Sequence, residues 1–418
     1  MGEGSIRPER QAAEAGAGGS SLVYGPIVIT DPTLGCPITV AVGPVRGARP
    51  SRFVSGWGNS TQEAATACVY EADETYFAQM IPHERLSRAR AGELRGRVIE
   101  PPALTLFSDA QYCERLHWNK NVDDSRAVPI RWRRSQPLDW IRSDPRFSTS
   151  EAWVPAGLCF LGYPNDESSG LPPADSNGLA RGSSMEDAVV RGFCEVVERD
   201  ATAIWWYNRL VLPRIDLTSL SDGLASQYAD WLLTQNRELR LLLLTLDLPI
   251  PIVAAISHHV GGGAIAFGFA AGRSMSEAAR RAVGELAECE ANLTLLKRNA
   301  DTSGTAAFTP GALHLYRWHM DENIHRLPHL SGNSAIQASS AELRLDWNYC
   351  LDICREHELE IFAVNLTHNA ESPVARVFVP GLRPTKPRLG GGRLYDVPVR
   401  LGLRPSVSQA IHEVPFPL

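Results

Sequence analysis

The stretch from Ser176 to Leu210, SNGLARGSSMEDAVVRGFCEVVERDATAIWWYNRL, constrains this chain more than any other. Turn-forming Ser176, Asn177, Gly178 and Gly182 lead into Ser183 and Ser184, good helix N-cap residues. Glu186 and Asp187 then fall in the first turn, where the helix dipole favours negative charge. Ala188, Val189, Phe193, Val196, Val197, Ala201, Ile204 and Trp205 recur at helical spacing, which predicts one largely buried helix. Glu195 and Glu198 share a face of it, next to Arg199. Two like charges on a partly buried face repel and lose hydration, so a cation has to offset them.

Glu-x-x-Glu alone is common, and a solvated helix face would carry it as readily. Here the pattern recurs. Glu71 and Glu74 stand in NSTQEAATACVYEADETY, and Glu285 and Glu288 in GRSMSEAARRAVGELAECE. Each copy runs from a Gly through a Ser or Thr cap and an acid into an Ala-rich helical pattern. Three copies of one local design predict three helices aiming carboxylates at a shared site. A hard cation such as magnesium takes oxygen ligands and usually brings a nucleotide's phosphates with it. Arg199 and Arg281 would then be phosphate partners.

With 418 residues, 44% of them hydrophobic, the chain can bury a large core. A net charge of -6 argues against a general nucleic-acid binder. The eight cysteines include no Cys-x-x-Cys pair and read as free thiols of a reducing cytosol, which makes a cytoplasmic location the expectation. Residues 1–21 read as a disordered tail without the apolar run of a signal peptide. The most apolar stretch, Leu239 to Ile256, is broken by Arg240, Asp247, Pro249 and Pro251, and reads as two strands and a turn, with no membrane span. Val260 to Ala271 reads as a Gly-rich strand pair with Gly261 to Ala266 inside a strand. His83 to Pro101 reads as surface helix and loop, and Arg131 to Arg146 as a solvated edge. Residues 299–341 read as a cap or insert, and 401–418 as a proline-bearing, extended tail. No Gly-Lys dipeptide exists, so there is no P-loop.

LFSDAQYCERLHWN, the central stretch, GFAAGRSMSEAARRAVGELAE, VFVPGLRP and GRLYDVPVRLG together resemble the YcaO family of ATP-dependent peptide-backbone-modifying enzymes, from about residue 50 onward. The nearest likeness is to cyclodehydratases that install azoline rings in ribosomally made peptides. The resemblance implies a mixed α/β (α+β) fold of sheets packed with helices that binds ATP without a P-loop, over residues 22–400. It implies ATP and Mg2+ as cofactors. Carried over by motif, Glu71, Glu74, Glu195, Glu198 and Glu285 would hold metal. Ser183, Ser184, Asp187, Arg199, Arg281 and Glu285 would lie at the nucleotide. Glu195, Glu198, Arg199 and the carboxylate of Leu418 would serve catalysis.

The implied partners are a precursor peptide, a ubiquitin-activating-enzyme-like protein that captures its leader, and a flavin-dependent azoline dehydrogenase acting afterwards. No nucleic acid or membrane is expected, and a homodimer is compatible with the pattern. Thioamide or macrocyclic amidine formation would use the same ATP chemistry; a non-catalytic scaffold is the alternative outside catalysis. Three positions depart from the family pattern: Trp57 replaces a lysine between Gly56 and Gly58, and Ala67 and Thr75 replace a serine and an arginine around the first acidic pair.

Overall fold

The computed structural model describes residues 27–28, 35–45, 53–79, 81–123, 125–306, 308–368, 373–407 and 411–417. The disordered tail expected for residues 1–21, and Leu418, lie outside them.

Three strand–helix units organise the chain. Strand β1 (Phe53–Gly58) feeds helix α1 (Thr61–Phe77), strand β2 (Leu179–Arg181) feeds α2 (Met185–Asn208), and strand β3 (Ala266–Ala271) feeds α3 (Met275–Ser303). The junctions repeat one design. Ser60, Ser184 and Ser274 are N-caps in extended backbone, with side chains accepting from the N–H of Glu63, Asp187 and Glu277. Those acids in turn accept from the backbone N–H just before the cap: Asn59 to Glu63 at 2.8 Å, Ser183 to Asp187 at 2.8 Å and Arg273 to Glu277 at 3.0 Å. Two orphan donors are satisfied at each helix start. The glycine before each junction has a steric reason. A Cβ on Gly58, Gly182 or Gly272 would stand 2.7, 2.2 or 2.5 Å from the backbone nitrogen of Ala64, Ala188 or Ala278.

Each of the three strands is the edge of its own sheet. β1 pairs with Thr39–Pro44, beyond which lies Ile27–Val28. β2 pairs with Val374–Phe378, with Arg181 opposite Val374, and Phe362–Asn365 follows. β3 pairs with Ile252–His259, followed by Arg237–Leu243, Arg214–Ile215 and a parallel Ala335–Ile336. Each helix packs on its own strand's sheet and also touches the edge strand of the next unit: α1 on β2, α2 on β3, and α3 on β1. The three units therefore close into a pseudo-three-fold ring. The mixed α+β architecture agrees with expectation. α2 is its most enclosed member, with seventeen buried residues between Ala188 and Tyr207.

Some expectations need correction. Arg131 to Arg146 is not a solvated edge, and His83 to Pro101, mostly exposed and with short helical turns at His83–Arg85 and Ala91–Glu93, is not helix and loop alone. They supply Ser87–Ala89, Arg97–Val98 and Leu138–Arg142, which with Ala152–Pro155 form a four-stranded sheet. Trp140 there is fully buried, and its indole N–H donates to the Ala89 carbonyl. Gly261 to Ala266 is mostly turn, with Gly262 at φ 89°, and only β3 follows it as strand. Within 299–341, Trp318, Ile324 and Leu330 belong to the same core as α2.

Trp57 packs its indole on α3, where Gly284 leaves room. A Cβ at 284 would stand 2.0 Å from the ring. Gly284→Ala is therefore expected to cost a net of about 1–2 kcal/mol in denaturant unfolding, overpacking outweighing the gain in helix propensity. The same change made beside Trp57→Ala should be neutral or stabilising. Simple additivity of the two changes would refute this packing account.

Candidate active site

Identical geometry places the acidic pairs. Glu71, Glu195 and Glu285 each lie eleven residues past the caps Ser60, Ser184 and Ser274; Glu74, Glu198 and Glu288 each lie fourteen past them. Equal helical distance from equivalent starts brings all six carboxyls to the middle of the ring.

The second glutamate of each helix reaches the next unit. Glu74 accepts from the Arg181 N–H at the end of β2 at 3.0 Å, and Glu198 from the Ala271 N–H at the end of β3 at 3.0 Å. Glu288 accepts from the Ser55 hydroxyl on β1. A sheet-edge N–H lacks a strand partner, and at two of these three joints a carboxylate supplies one.

The first glutamates face one another through their fields. Loss of hydration raises the Glu71 carboxyl to about 7; Glu285 adds to the rise and Arg199 opposes it. Water still reaches Glu71, which is exposed by area, so part of this rise is screened. Loss of hydration likewise pushes Glu195 up to about 8 against the opposition of Arg199, with Glu198 adding to the push. Glu198, only 4% exposed, rises to about 7 by burial, with Arg199 opposing and Glu285 adding. Burial and then Glu285 raise Glu288 to about 8. Glu74 and Glu285 are raised as well, burial again leading.

Two guanidiniums answer these acids from inside the site. Arg199 pairs with Glu198 at 2.8 Å and with Glu195 at 3.7 Å. Arg281 donates to the Ala271 carbonyl at 2.8 Å, and its charge acts on Glu198 and Glu285. A third cation, Arg376, lowers Glu74 and Glu195 from the strand beside β2.

Six carboxyls facing so few cations offer oxygen donors of the kind a hard divalent ion takes. Among the described residues no three side chains are gathered as a finished metal cage. The donor set fits magnesium: oxygen throughout, with the neighbouring Cys68 thiol pushed up to about 12 by burial and by Glu288 and Glu71. A thiol that keeps its proton offers nothing to a softer metal.

The structure thus joins Glu71, Glu74, Glu195, Glu198, Glu285, Arg199 and Arg281, and adds Glu288, which the carried-over metal set omitted. It does not bring Ser183, Ser184 and Asp187 to them. Ser184 caps α2, and Ser183 donates its hydroxyl to Asp187 at 3.0 Å. Eleven residues of rise separate the cap from Glu195, about 16 Å. Sequence reading missed Arg376; its signal was a lone charge in the apolar run VARVF.

Residues 411–417 return to α2. Phe416, 2% exposed, packs edge-on against Trp206 at 5.1 Å and against Phe269 at 5.4 Å. Trp206 donates its indole N–H to the Val414 carbonyl, and Arg126 donates to the carbonyls of Phe416 at 3.1 Å and Pro417 at 3.4 Å. The catalytic carboxylate expected on Leu418 falls just past the described residues.

The raised carboxyls fix a pH dependence. Each holds its proton more tightly folded than unfolded. The stability this contributes is complete below the ordinary carboxylate pKa, and is lost as pH rises through about 7 for Glu198 and about 8 for Glu195 and Glu288. In metal-free buffer the Tm is therefore expected to fall between about pH 4.5 and 8, and the fall should shrink in Glu195→Gln and Glu288→Gln. An unchanged slope in both variants would contradict these assignments.

A heterocyclase solved in complex with substrate and cofactor superposes with a TM-score of 0.83 at 28% identity, over 95% of this chain and 55% of its own. The heterocyclase TruD gives 0.70 at 30% identity, over 85% and 51%. YcaO from Methanopyrus kandleri, solved with AMPPCP and Mg2+, shares the fold, with a TM-score of 0.60 at 20% identity over 88% and 91%. The chain spans about half the length of the two heterocyclases. Among the described residues no helix is long and apolar enough to cross a membrane. The family model described as YcaO cyclodehydratase, ATP- and Mg2+-binding, matches residues 55–383, so the chain belongs to the YcaO cyclodehydratases, an ATP- and Mg2+-binding enzyme family.

Proposed function

We propose that this protein carries out ATP-dependent cyclodehydration of Cys, Ser or Thr residues in a ribosomally made precursor peptide. The observation that carries the reading is the convergence of six glutamates from three equivalent helices beside Arg199 and Arg281. The likeness to two heterocyclases supports it. In the reaction a peptide side chain adds to the preceding backbone carbonyl, and the γ-phosphoryl group of ATP passes to the resulting oxyanion. The C–O bond then breaks with its electron pair leaving on phosphate, the nitrogen lone pair forms C=N, and the N–H proton is lost. An amide oxygen is a poor leaving group, and phosphorylation makes it a good one.

The chain's part is positioning and charge neutralisation. Magnesium, held by Glu71, Glu74, Glu195, Glu198 and Glu285, would neutralise the phosphate oxygens when bound. Arg199 is fixed by Glu198 and Glu195 among the acids. Glu198 is fixed on its other side by the Ala271 N–H, which limits how far either can drift. Raised carboxyls near neutrality are also suited to take up the proton lost at ring closure. The leader-binding partner, and a dehydrogenase acting later, belong to this reading.

Glu195→Gln and Glu198→Gln are each expected to lower peptide-dependent ATP turnover by at least about a hundredfold with the fold retained, as is removal of magnesium by chelation. The readout is phosphate release, with ring formation followed by mass spectrometry as loss of one water per ring. Near-normal turnover in either variant would remove these residues from the metal set.

A further inference from the structure

A cavity lies against α2 at Val196, walled by apolar side chains such as Leu158, Phe378 and Leu382. Polar residues converge on it as well: Thr105, Asp175 and Asn177 of one loop, Arg376 and Arg388. Arg376 and Arg388 are 3% and 4% exposed. Arg376 binds Asp175 through its carbonyl and, at 3.2 Å, its carboxylate, and Lys386 approaches the other carboxylate oxygen at 3.3 Å. Arg388 donates to the Ser125 carbonyl at 3.2 Å and lies 4.0 Å over the Phe107 ring. Three cations therefore surround one acid. Burial alone would keep Asp175 protonated, but Lys386, Arg376 and Arg388 hold it ionised.

The accounting of polar atoms is incomplete at this spot. Arg376 Nε, Arg388 Nη1 and Asn177 Oδ1 are buried with no hydrogen-bond partner among the described residues. Unpaired buried donors cost free energy unless a ligand or water answers them. These three atoms suit an anion that accepts from two guanidiniums and offers one proton to an amide oxygen. Hydrogen phosphate does both, whereas sulfate carries no proton at neutral pH. Arg376 is also a shared wall, because its charge reaches Glu74 and Glu195 on the carboxylate side.

We propose that this cavity is a phosphate subsite, in which Arg376 and Arg388 receive the phosphate released when the phosphorylated backbone oxygen leaves the peptide. The inference rests on the cyclodehydration reading for where the phosphate comes from, but the site itself can be tested without peptide or turnover. Inorganic phosphate is titrated into the whole protein in the presence of Mg2+ and ADP, followed by calorimetry, with sulfate as the comparison anion. Wild type is expected to bind phosphate at least about tenfold more tightly than sulfate. Arg388→Gln should weaken phosphate about tenfold or more, Arg388→Lys should recover most of the loss, and affinity for Mg-AMPPCP should change less than about twofold. Lys386→Gln, at a less enclosed position, provides the same comparison where Arg388→Gln does not fold. Equal phosphate affinity in wild type and variants, sulfate binding as well as phosphate, or no phosphate binding at all would each overturn the proposal, the last marking a cavity filled by water. A protein that binds phosphate in this way yet makes no azoline would instead overturn the cyclodehydration reading.

Discussion

A carboxylate that completes the edge of a sheet is the interaction on which this ring depends. Edge strands carry backbone donors with no neighbouring strand to accept from them. Glu74 takes the Arg181 donor and Glu198 the Ala271 donor, while Glu288 holds the Ser55 hydroxyl of the remaining unit. Each contact ties a helix of one unit to the strand of the next, and three of them close the circle. One turn earlier on the same helix faces stand Glu71, Glu195 and Glu285. The residues that bind the units together therefore also fix where the open carboxylates meet, and repulsion among those acids is the energetic cost of the arrangement. A cation bound there would relieve the repulsion, so the same charges that strain the fold prepare it for magnesium.

The far side of α2 is held by charge of the opposite arrangement. Asp200, next in sequence to Arg199 and 1% exposed, accepts both from the Arg393 guanidinium and from the Arg383 backbone N–H at 3.0 Å. Arg393 goes on to Asp247 with two further bonds of 2.9 and 2.8 Å. Arg383, 1% exposed, donates to the carbonyls of Arg388, Gly390 and Gly391. A buried pair of this kind adds little over an apolar contact, but it is costly to break from one side. Its use here is geometric. It locks the loop carrying Lys386 and Arg388 to the helix carrying Glu195 and Glu198, so the cationic cavity and the acids keep a fixed separation.

What the sequence made legible was local. Caps, first-turn acids and apolar spacing placed all three long helices, because each signal acts within a few residues; α2 ends at Asn208, two residues short of Leu210, where Arg209 turns left-handed at φ 51°. The convergence of the acids was legible too, since repetition of one motif implies equivalent placement. The four-stranded sheet was not, because strands such as Ser87–Ala89 and Arg97–Val98 are too short to show a period. Nor were the cyclic contacts: nothing near Glu74 in the chain announces that Arg181, more than a hundred residues on, will donate to it. Arg376 and Asp175 meet only after Val374–Phe378 is laid beside β2. Ser183 and Asp187 were legible as a helix start, and the structure keeps them in that role, away from the carboxylates.

The pseudo-symmetry also explains how the ring tolerates Trp57 where the resemblance expects a lysine. Trp57, Arg181 and Ala271 each stand three residues before a cap, and so occupy one position of the repeated unit. Tyr70, Cys194 and Gly284, each just before the first glutamate of a pair, occupy another. Arg181 lies 3.9 Å over the Tyr70 ring, and Trp57 lies on Gly284. A large residue on the strand meets a flat ring in one joint and a missing side chain in the other, so the room for the Trp57 indole comes from Gly284. Trp57 is thus taken up by the core that α3 builds, with Arg280 above its ring at 5.9 Å, and leaves the carboxylates in place. Thr75 follows the same logic. It is buried at the position that α2 fills with Arg199, so the first helix contributes acids and no cation. The positive charge lost at 57 and 75 is not restored on those elements, and the acids are answered by Arg199, Arg281 and the strand-borne Arg376.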